Sequence, residues 1–211
     1  MTPLAAFDAA FAACPLVAIL RGVRPDEVVG IGEELVEAGF TLIEVPMNSP
    51  DPLESVARLA KALGDRAMIG AGTVLTPEQV TAMRAAGGQM VISPNSNIEV
   101  IRASAAAGLV SLPGVATPSE ALAALAAGAT ALKLFPAEGA SPTLLKAMRA
   151  ILPKDVRVLP VGGITPEAMA AWREGGAAGF GLGSALYKPG MTAAEVGERA
   201  RAFVAALPRA A

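Results

Sequence analysis

The sequence predicts an α/β protein built as a (β/α)8 barrel, and three observations point there. Short apolar runs alternate with Ala-rich helical stretches along the whole chain, with no linker or low-complexity break. Eight such units share 211 residues, about 26 residues each, near the lower size limit for an eight-unit barrel. Apolar residues make up 53% of the chain, chiefly Ala, Val, Leu and Ile, as parallel strands buried on both faces require. A doubly wound open sheet is the rival architecture. It is disfavoured because the units are near-equal in length and no Gly-x-Gly-x-x-Gly follows the first strand. The barrel is expected to fill one domain over residues 1–211.

In chain order, Thr2 to Ala13 reads as an extra helix closing the barrel's bottom. Strands follow at Leu16–Leu20, Leu42–Val45, Ala67–Ala71, Met90–Ile92, Leu109–Leu112, Ala131–Phe135, Arg157–Val161 and Gly179–Leu182. Helices open at Ser49-Pro-Asp51, Thr76-Pro-Glu78, Thr117-Pro-Ser-Glu120, Ser141-Pro142 and Thr165-Pro-Glu167. In each, a Ser or Thr oxygen can accept from an unpaired N–H, and Pro fits the first turn because its missing N–H is not needed there. Helices end at Gly39, Gly64, Gly87, Gly108, Gly128 and Gly175, where glycine readily takes the left-handed terminal conformation. A short helix is expected after Ser184.

Composition removes several classes of function. The formal charge is −2, with no basic stripe, so neither nucleic acid nor an anionic membrane is an expected partner. The longest apolar run, Ala9 to Leu20, is too short to span a bilayer and is broken by Pro15. No basic segment precedes it, so the N-terminus does not read as a secretory signal. The single cysteine, Cys14, cannot form an internal disulfide and fits a reducing cytoplasm. There is no histidine. This excludes Ser-His-Asp and Cys-His catalysis, imidazole proton shuttles and His-ligated metals. No carboxylate cluster suggests a metal, so a site free of metal and cofactor is expected, built from Lys, Glu, Thr, Ser, Arg and backbone groups.

Charged residues inside buried parallel strands are rare, and two stand out. Lys133 lies in Ala131-Leu-Lys-Leu-Phe135 of the sixth strand, whereas Lys61, Lys146, Lys154 and Lys188 fall on helices or in loops. Burial lowers a lysine's pKa and so frees a nucleophilic amine; the alternative is a lysine reaching solvent or a structural carboxylate. Glu44, in Thr41-Leu-Ile-Glu-Val45, is the one acid in a predicted strand, the second. Strands two and six face each other across an eight-stranded barrel and feed the same interior layer. Lys133 and Glu44 can then share the mouth with a small substrate or a water between them. An iminium-forming amine beside a proton-moving carboxylate suits carbonyl chemistry; a structural ion pair is the alternative.

Val161-Gly-Gly-Ile-Thr165 and Phe180-Gly-Leu-Gly-Ser184 end strands seven and eight, where barrels usually seat phosphate against backbone N–H groups. Gly162, Gly163, Gly183 and Ser184 are the candidate donors. Arg21, ending strand one, can clamp a substrate carboxylate or pair with a loop acid. Thr73 sits at the mouth after strand three, and Ser93-Pro94-Asn95 follows strand four. On residues alone, a sugar-phosphate isomerase or epimerase and a non-catalytic phosphate-metabolite binder stay as rivals. The first lacks a second strand carboxylate.

Glu44-Val-Pro-Met-Asn-Ser49, Gly70-Ala-Gly-Thr-Val-Leu75, Ser93-Pro-Asn95, Lys133-Leu-Phe-Pro136 and Val161-Gly-Gly-Ile164 together resemble the 2-keto-3-deoxy-6-phosphogluconate aldolases and their phosphogalactonate-specific relatives. The resemblance runs from Pro15 to Tyr187 with its segments in order. It implies a metal-free class I pyruvate aldolase acting on a phosphorylated keto-deoxy sugar acid, and a homotrimer. It assigns Lys133 as the Schiff-base lysine and Glu44 as the general acid/base. Arg21, Asn48, Thr73, Pro94, Phe135 and Val161 become substrate-binding residues, and Gly162, Gly163, Gly183 and Ser184 the phosphate region. The gluconate branch has Arg at the position of Asn48 and Thr at that of Val161. The galactonate branch resembles this chain at both and in Ile19-Leu-Arg-Gly22. The resemblance therefore implies a 2-keto-3-deoxy-6-phosphogalactonate aldolase, with a gluconate-specific or dual-specificity enzyme as the alternative.

Overall fold

The computed structural model describes residues 2–208; residue 1 and residues 209–211 of the predicted domain lie outside the described residues. The chain runs α1 (Pro3–Ala13), β1 (Leu16–Ile19), α2 (Val28–Glu37), β2 (Leu42–Pro46), α3 (Pro52–Leu63), β3 (Met68–Gly72), α4 (Pro77–Ala85) and β4 (Met90–Ile92). It continues through α5 (Ile98–Ala106), β5 (Val110–Leu112), β6 (Gly114–Val115), α6 (Pro118–Ala126), β7 (Leu132–Leu134) and α7 (Pro142–Arg149). It closes with β8 (Val158–Pro160), α8 (Met169–Glu174), β9 (Phe180–Leu182) and α9 (Ala193–Ala205). All eight predicted strands are present, and past Pro113 the fifth is followed by a short further strand, β6, that the sequence did not predict.

All pairings are parallel, but the ladders do not form one closed ring. They form a six-stranded sheet, β5-β4-β3-β2-β1-β9, and a three-stranded sheet, β6-β7-β8. The prediction of a fully closed (β/α)8 barrel is corrected to an α/β domain whose parallel sheet curls around one interior. Two prolines account for the breaks. Pro113 has no N–H to give where the fifth strand passes between sheets. On the other side, Ala178 N–H donates to the Val158 carbonyl at 3.0 Å. Pro160, which faces the same way by strand parity, has no donor to extend that ladder. A single bridge, Val161 to Gly181, joins β8 to β9.

Strand alternation sets two layers inside the curl. Val17, Leu42, Met68, Met90, Val110, Ala131 and Leu159 pack with Phe7 and Phe11 of α1 into an apolar floor. The extra helix thus covers the bottom as predicted. It is pinned there by Arg157, whose guanidinium donates to Asp8 at 2.6 Å and lies 4.8 Å from the Phe11 ring centre. Two residues up from Leu42 and Ala131, the same faces carry Glu44 and Lys133. Outside the sheet, Leu35, Phe40, Val56, Leu59, Leu63, Trp172 and Phe203 belong to the larger core between strands and helices.

The hydroxyls of Thr2, Thr76, Thr117 and Ser141 accept from the N–H three residues on at 3.1–3.3 Å, as N-caps do. Three expectations at helix starts are corrected. Helix α3 begins at Pro52 after a left-handed Asp51, because the Ser49 hydroxyl accepts instead from Gly22 N–H at 2.9 Å. Thr165 precedes a single 3-10 turn, Pro166–Ala168, with no side-chain cap bond to a backbone N–H. After Ser184 there is only one turn, in which Leu186 and Tyr187 both donate to the Gly183 carbonyl. At helix ends, Gly39, Gly87, Gly108 and Gly128 are left-handed, whereas Gly64 and Gly175 are right-handed and Gly176 takes the role after α8. Gly175 is needed for closeness: a Cβ there would come 2.6 Å from the Pro142 carbonyl oxygen. Among the described residues, no helix is long and apolar enough to cross a membrane.

Candidate active site

Lys133 is 6% exposed and Glu44 1% exposed. They face the same internal space of about 10 Å³, bordered also by Val17, Ile19, Ile92, Leu112, Leu159, Val161 and Gly181, roughly the room of one water. The Glu44 Oε2 atom is buried without a hydrogen-bond partner among the described residues. The apolar floor removes water from both groups and pushes each towards its neutral form. Burial raises the Glu44 carboxyl to about 7 against the pull of Lys133 and Arg21. Burial lowers the Lys133 ammonium, opposed by the Glu44 charge and assisted by Arg21. For each, desolvation outweighs the attraction between them. The Lys133 Nζ also lies 4.8 Å from the Phe135 ring centre.

Above this pair opens a cleft of about 240 Å³. Eight of the predicted site residues line it: Arg21, Lys133, Phe135, Val161, Gly162, Gly163, Gly183 and Ser184. Arg21 Nη1 donates to Asn48 Oδ1 at 2.7 Å, which ties the ends of β1 and β2 and sets Asn48 behind Arg21, outside the residues that line the cleft. At the far wall, Gly162 and Gly163 are both left-handed, with φ of 113° and 64°. Among the described residues, the backbone N–H groups of Gly163, Ser184 and Ala185 have no backbone acceptor outside the strand ladders, and they open towards the cleft with Gly162 beside them. Successive open donors of this kind form an anion-binding concavity.

Thr73 and Pro94 are not among the residues lining the cleft. Thr73 instead holds a left-handed backbone, φ 56°, at the end of β3, a strained state for a β-branched residue. Pro94 backs onto β6, where its carbonyl carbon would crowd any Cβ at Gly114. The sequence reading missed Glu138, Tyr187 and Lys188, all on the cleft. Each lies in a loop just past a strand's carboxyl end, the face on which such folds build sites. That placement was the available signal. Among the described residues, no group of three or more Cys, Asp or Glu side chains is gathered to hold a metal ion.

A buried lysine and carboxylate at the mouth of a curled parallel sheet, beside open backbone donors, suit the Schiff-base carbonyl chemistry of an α/β-fold lyase. The family model for KDPG and KHG aldolases matches residues 7–202, and the chain belongs to that family. It is 47% identical over 192 residues to the 2-dehydro-3-deoxy-6-phosphogalactonate aldolase of Escherichia coli K12, covering 91% of this chain and 94% of the relative. It is 50% identical over 192 residues to a probable 2-dehydro-3-deoxy-6-phosphogalactonate aldolase of Rhizobium meliloti 1021, covering 91% of each. A solved structure described as native KDPGal superposes with a TM-score of 0.90 at 47% identity, over 91% of this chain and 93% of the other.

Proposed function

We propose that this protein is a class I aldolase that reversibly cleaves 2-keto-3-deoxy-6-phosphogalactonate to pyruvate and D-glyceraldehyde 3-phosphate. The observation that carries the reading is the shared, water-sized space between Lys133 and Glu44 beneath a cleft that ends in open backbone donors. Neutral Lys133 attacks the C2 ketone to give a carbinolamine, which loses water to form an iminium. Glu44, directly or through one water, takes the C4 hydroxyl proton. The C3–C4 bond breaks, its electron pair moves into the iminium as an enamine, and glyceraldehyde 3-phosphate departs. Protonation at C3 and hydrolysis release pyruvate and restore the amine. A carboxyl titrating near 7 can both take and return a proton at neutral pH.

Arg21, held by Asn48, is suited to the substrate carboxylate, and Phe135 to the wall beside the iminium. Gly162, Gly163, Gly183 and Ser184 are suited to the phosphate. Thr73 and Pro94 are carried from the family resemblance as substrate contacts. The curled sheet and its helices are read as a single domain over residues 1–211, working as a homotrimer in the cytoplasm. The buried Cys14 thiol, pushed up to about 11, is unreactive and compatible with that compartment.

Incubation with pyruvate and borohydride tests the reading: the Lys133 peptide should gain the mass of a reduced pyruvyl adduct. Lys133→Ala should abolish both adduct and cleavage while the thermal melt stays cooperative, and wild-type cleavage should survive EDTA. An adduct on another lysine would move the nucleophile and overturn the assignment.

A further inference from the structure

A carboxylate stands where the phosphate is to bind. After β7 the chain makes a 3-10 turn, Ala137–Gly139, anchored by Ala137 N–H donating to the Val161 carbonyl at 2.9 Å. The turn sets Glu138 over the two left-handed glycines. A Cβ built on Gly162 would lie 2.7 Å from Glu138 Cδ, and one on Gly163 would lie 2.9 Å from its Cγ. The Glu138 side chain therefore packs on the bare α-carbons of both glycines, in the cleft that also holds Ser184 and Lys188. Glu138 is exposed, and none of the ion pairs among the described residues uses it.

We propose that Glu138 is a specificity-determining residue for the substrate's terminal group, an inference that rests on the aldolase reading above. Its carboxylate competes with a phosphate for the Gly162–Gly163 edge, and like charges at such range repel. A terminal hydroxyl meets no such repulsion and can donate to the carboxylate. Glu138 thus narrows the enzyme's preference for phosphorylated keto-deoxy sugar acids over hydroxyl-terminated ones of the same carbon skeleton. Binding of the phosphate requires this unpaired side chain to turn out to solvent.

The test compares kcat/KM for a phosphorylated keto-deoxy acid and its dephosphorylated counterpart in wild type, Glu138→Gln and Glu138→Ala. The phosphorylated-to-hydroxyl ratio should rise roughly 10-fold in both variants, through KM for the phosphorylated substrate. The rise should shrink at high salt, because the mouth is open to screening. A ratio that is unchanged, or that falls in both variants, overturns the proposal. Pyruvate trapping at Lys133 reports a folded site in each variant. Its absence from the wild type would defeat the aldolase reading itself, a separate failure.

Discussion

Lys133 and Glu44 are costly residues to bury, and in the proposed mechanism that cost is the source of their chemistry. The Glu44 carboxyl ionises near 4.5 in water and near 7 in the fold. Between those values the folded chain holds a proton that the unfolded chain has lost, so this group's contribution to stability falls as pH rises. Glutamine cannot ionise. The melting temperature of Glu44→Gln relative to wild type should therefore climb from pH 4.5 to 7 and level off above; a flat difference would mean the carboxyl titrates at its ordinary value. Turnover in the same variant should drop about 100-fold or more, the scale of a lost general acid/base, while pyruvate trapping persists. Both residues were legible in the sequence because a charge between apolar neighbours breaks the composition of a buried strand. Glu138, Tyr187 and Lys188 were not, because loop residues have no periodicity against which a polar side chain stands out. Thr73 was read as a mouth residue from its position after strand three. Its left-handed backbone turns the chain there, which no residue pattern announces.

At the scale of the element, β3 explains why Glu44 keeps one orientation. Its last residue, Gly72, pairs in register with Pro46 of β2. A Cβ at Gly72 would collide with Glu44 Oε2 and approach Cδ to 2.6 Å. The carboxylate has taken the space a side chain would fill. Gly72→Ala should push Glu44 off its proton-transfer geometry and lower turnover roughly 100-fold, with iminium trapping retained and a stability loss of about 1–3 kcal/mol from overpacking. Steady-state turnover set beside borohydride trapping checks this; a variant with full turnover would show that Glu44 works from more than one position. Helix starts at Thr76, Thr117 and Ser141 could be read from sequence because the cap, the proline and the first turn are contiguous. Ser49 carries the same local signal, yet its hydroxyl is claimed by Gly22, 27 residues away. A bond of that span is invisible to a local pattern.

The whole molecule places the site across the join of its two sheets. Glu44 and the Gly183-Ser184 end come from the six-stranded sheet, and Lys133 with Gly162-Gly163 from the three-stranded one. The sequence showed the eight units but not this division. Pro113 and Pro160 cut the ladders through a missing N–H, an effect that depends on which side each residue faces. Val161 sits at the join. It bridges to Gly181, whose missing side chain leaves room for the Val161 methyls. It also borders both the Lys133–Glu44 space and the upper cleft, so on the proposed reading a substrate bound from Lys133 to the glycines would pass it near C4. The galactonate and gluconate epimers differ in configuration at C4. An apolar wall there offers no hydrogen bond to either hydroxyl. Val161→Thr keeps the volume and adds one donor, which can reward only the epimer whose C4 oxygen points at it, by about 1 kcal/mol or several-fold. The ratio of kcat/KM for the galactonate over the gluconate epimer should therefore fall several-fold in Val161→Thr, without a full reversal. A wild type that already prefers the gluconate epimer would overturn the substrate assignment. An unchanged ratio in the variant would show that the join does not read C4.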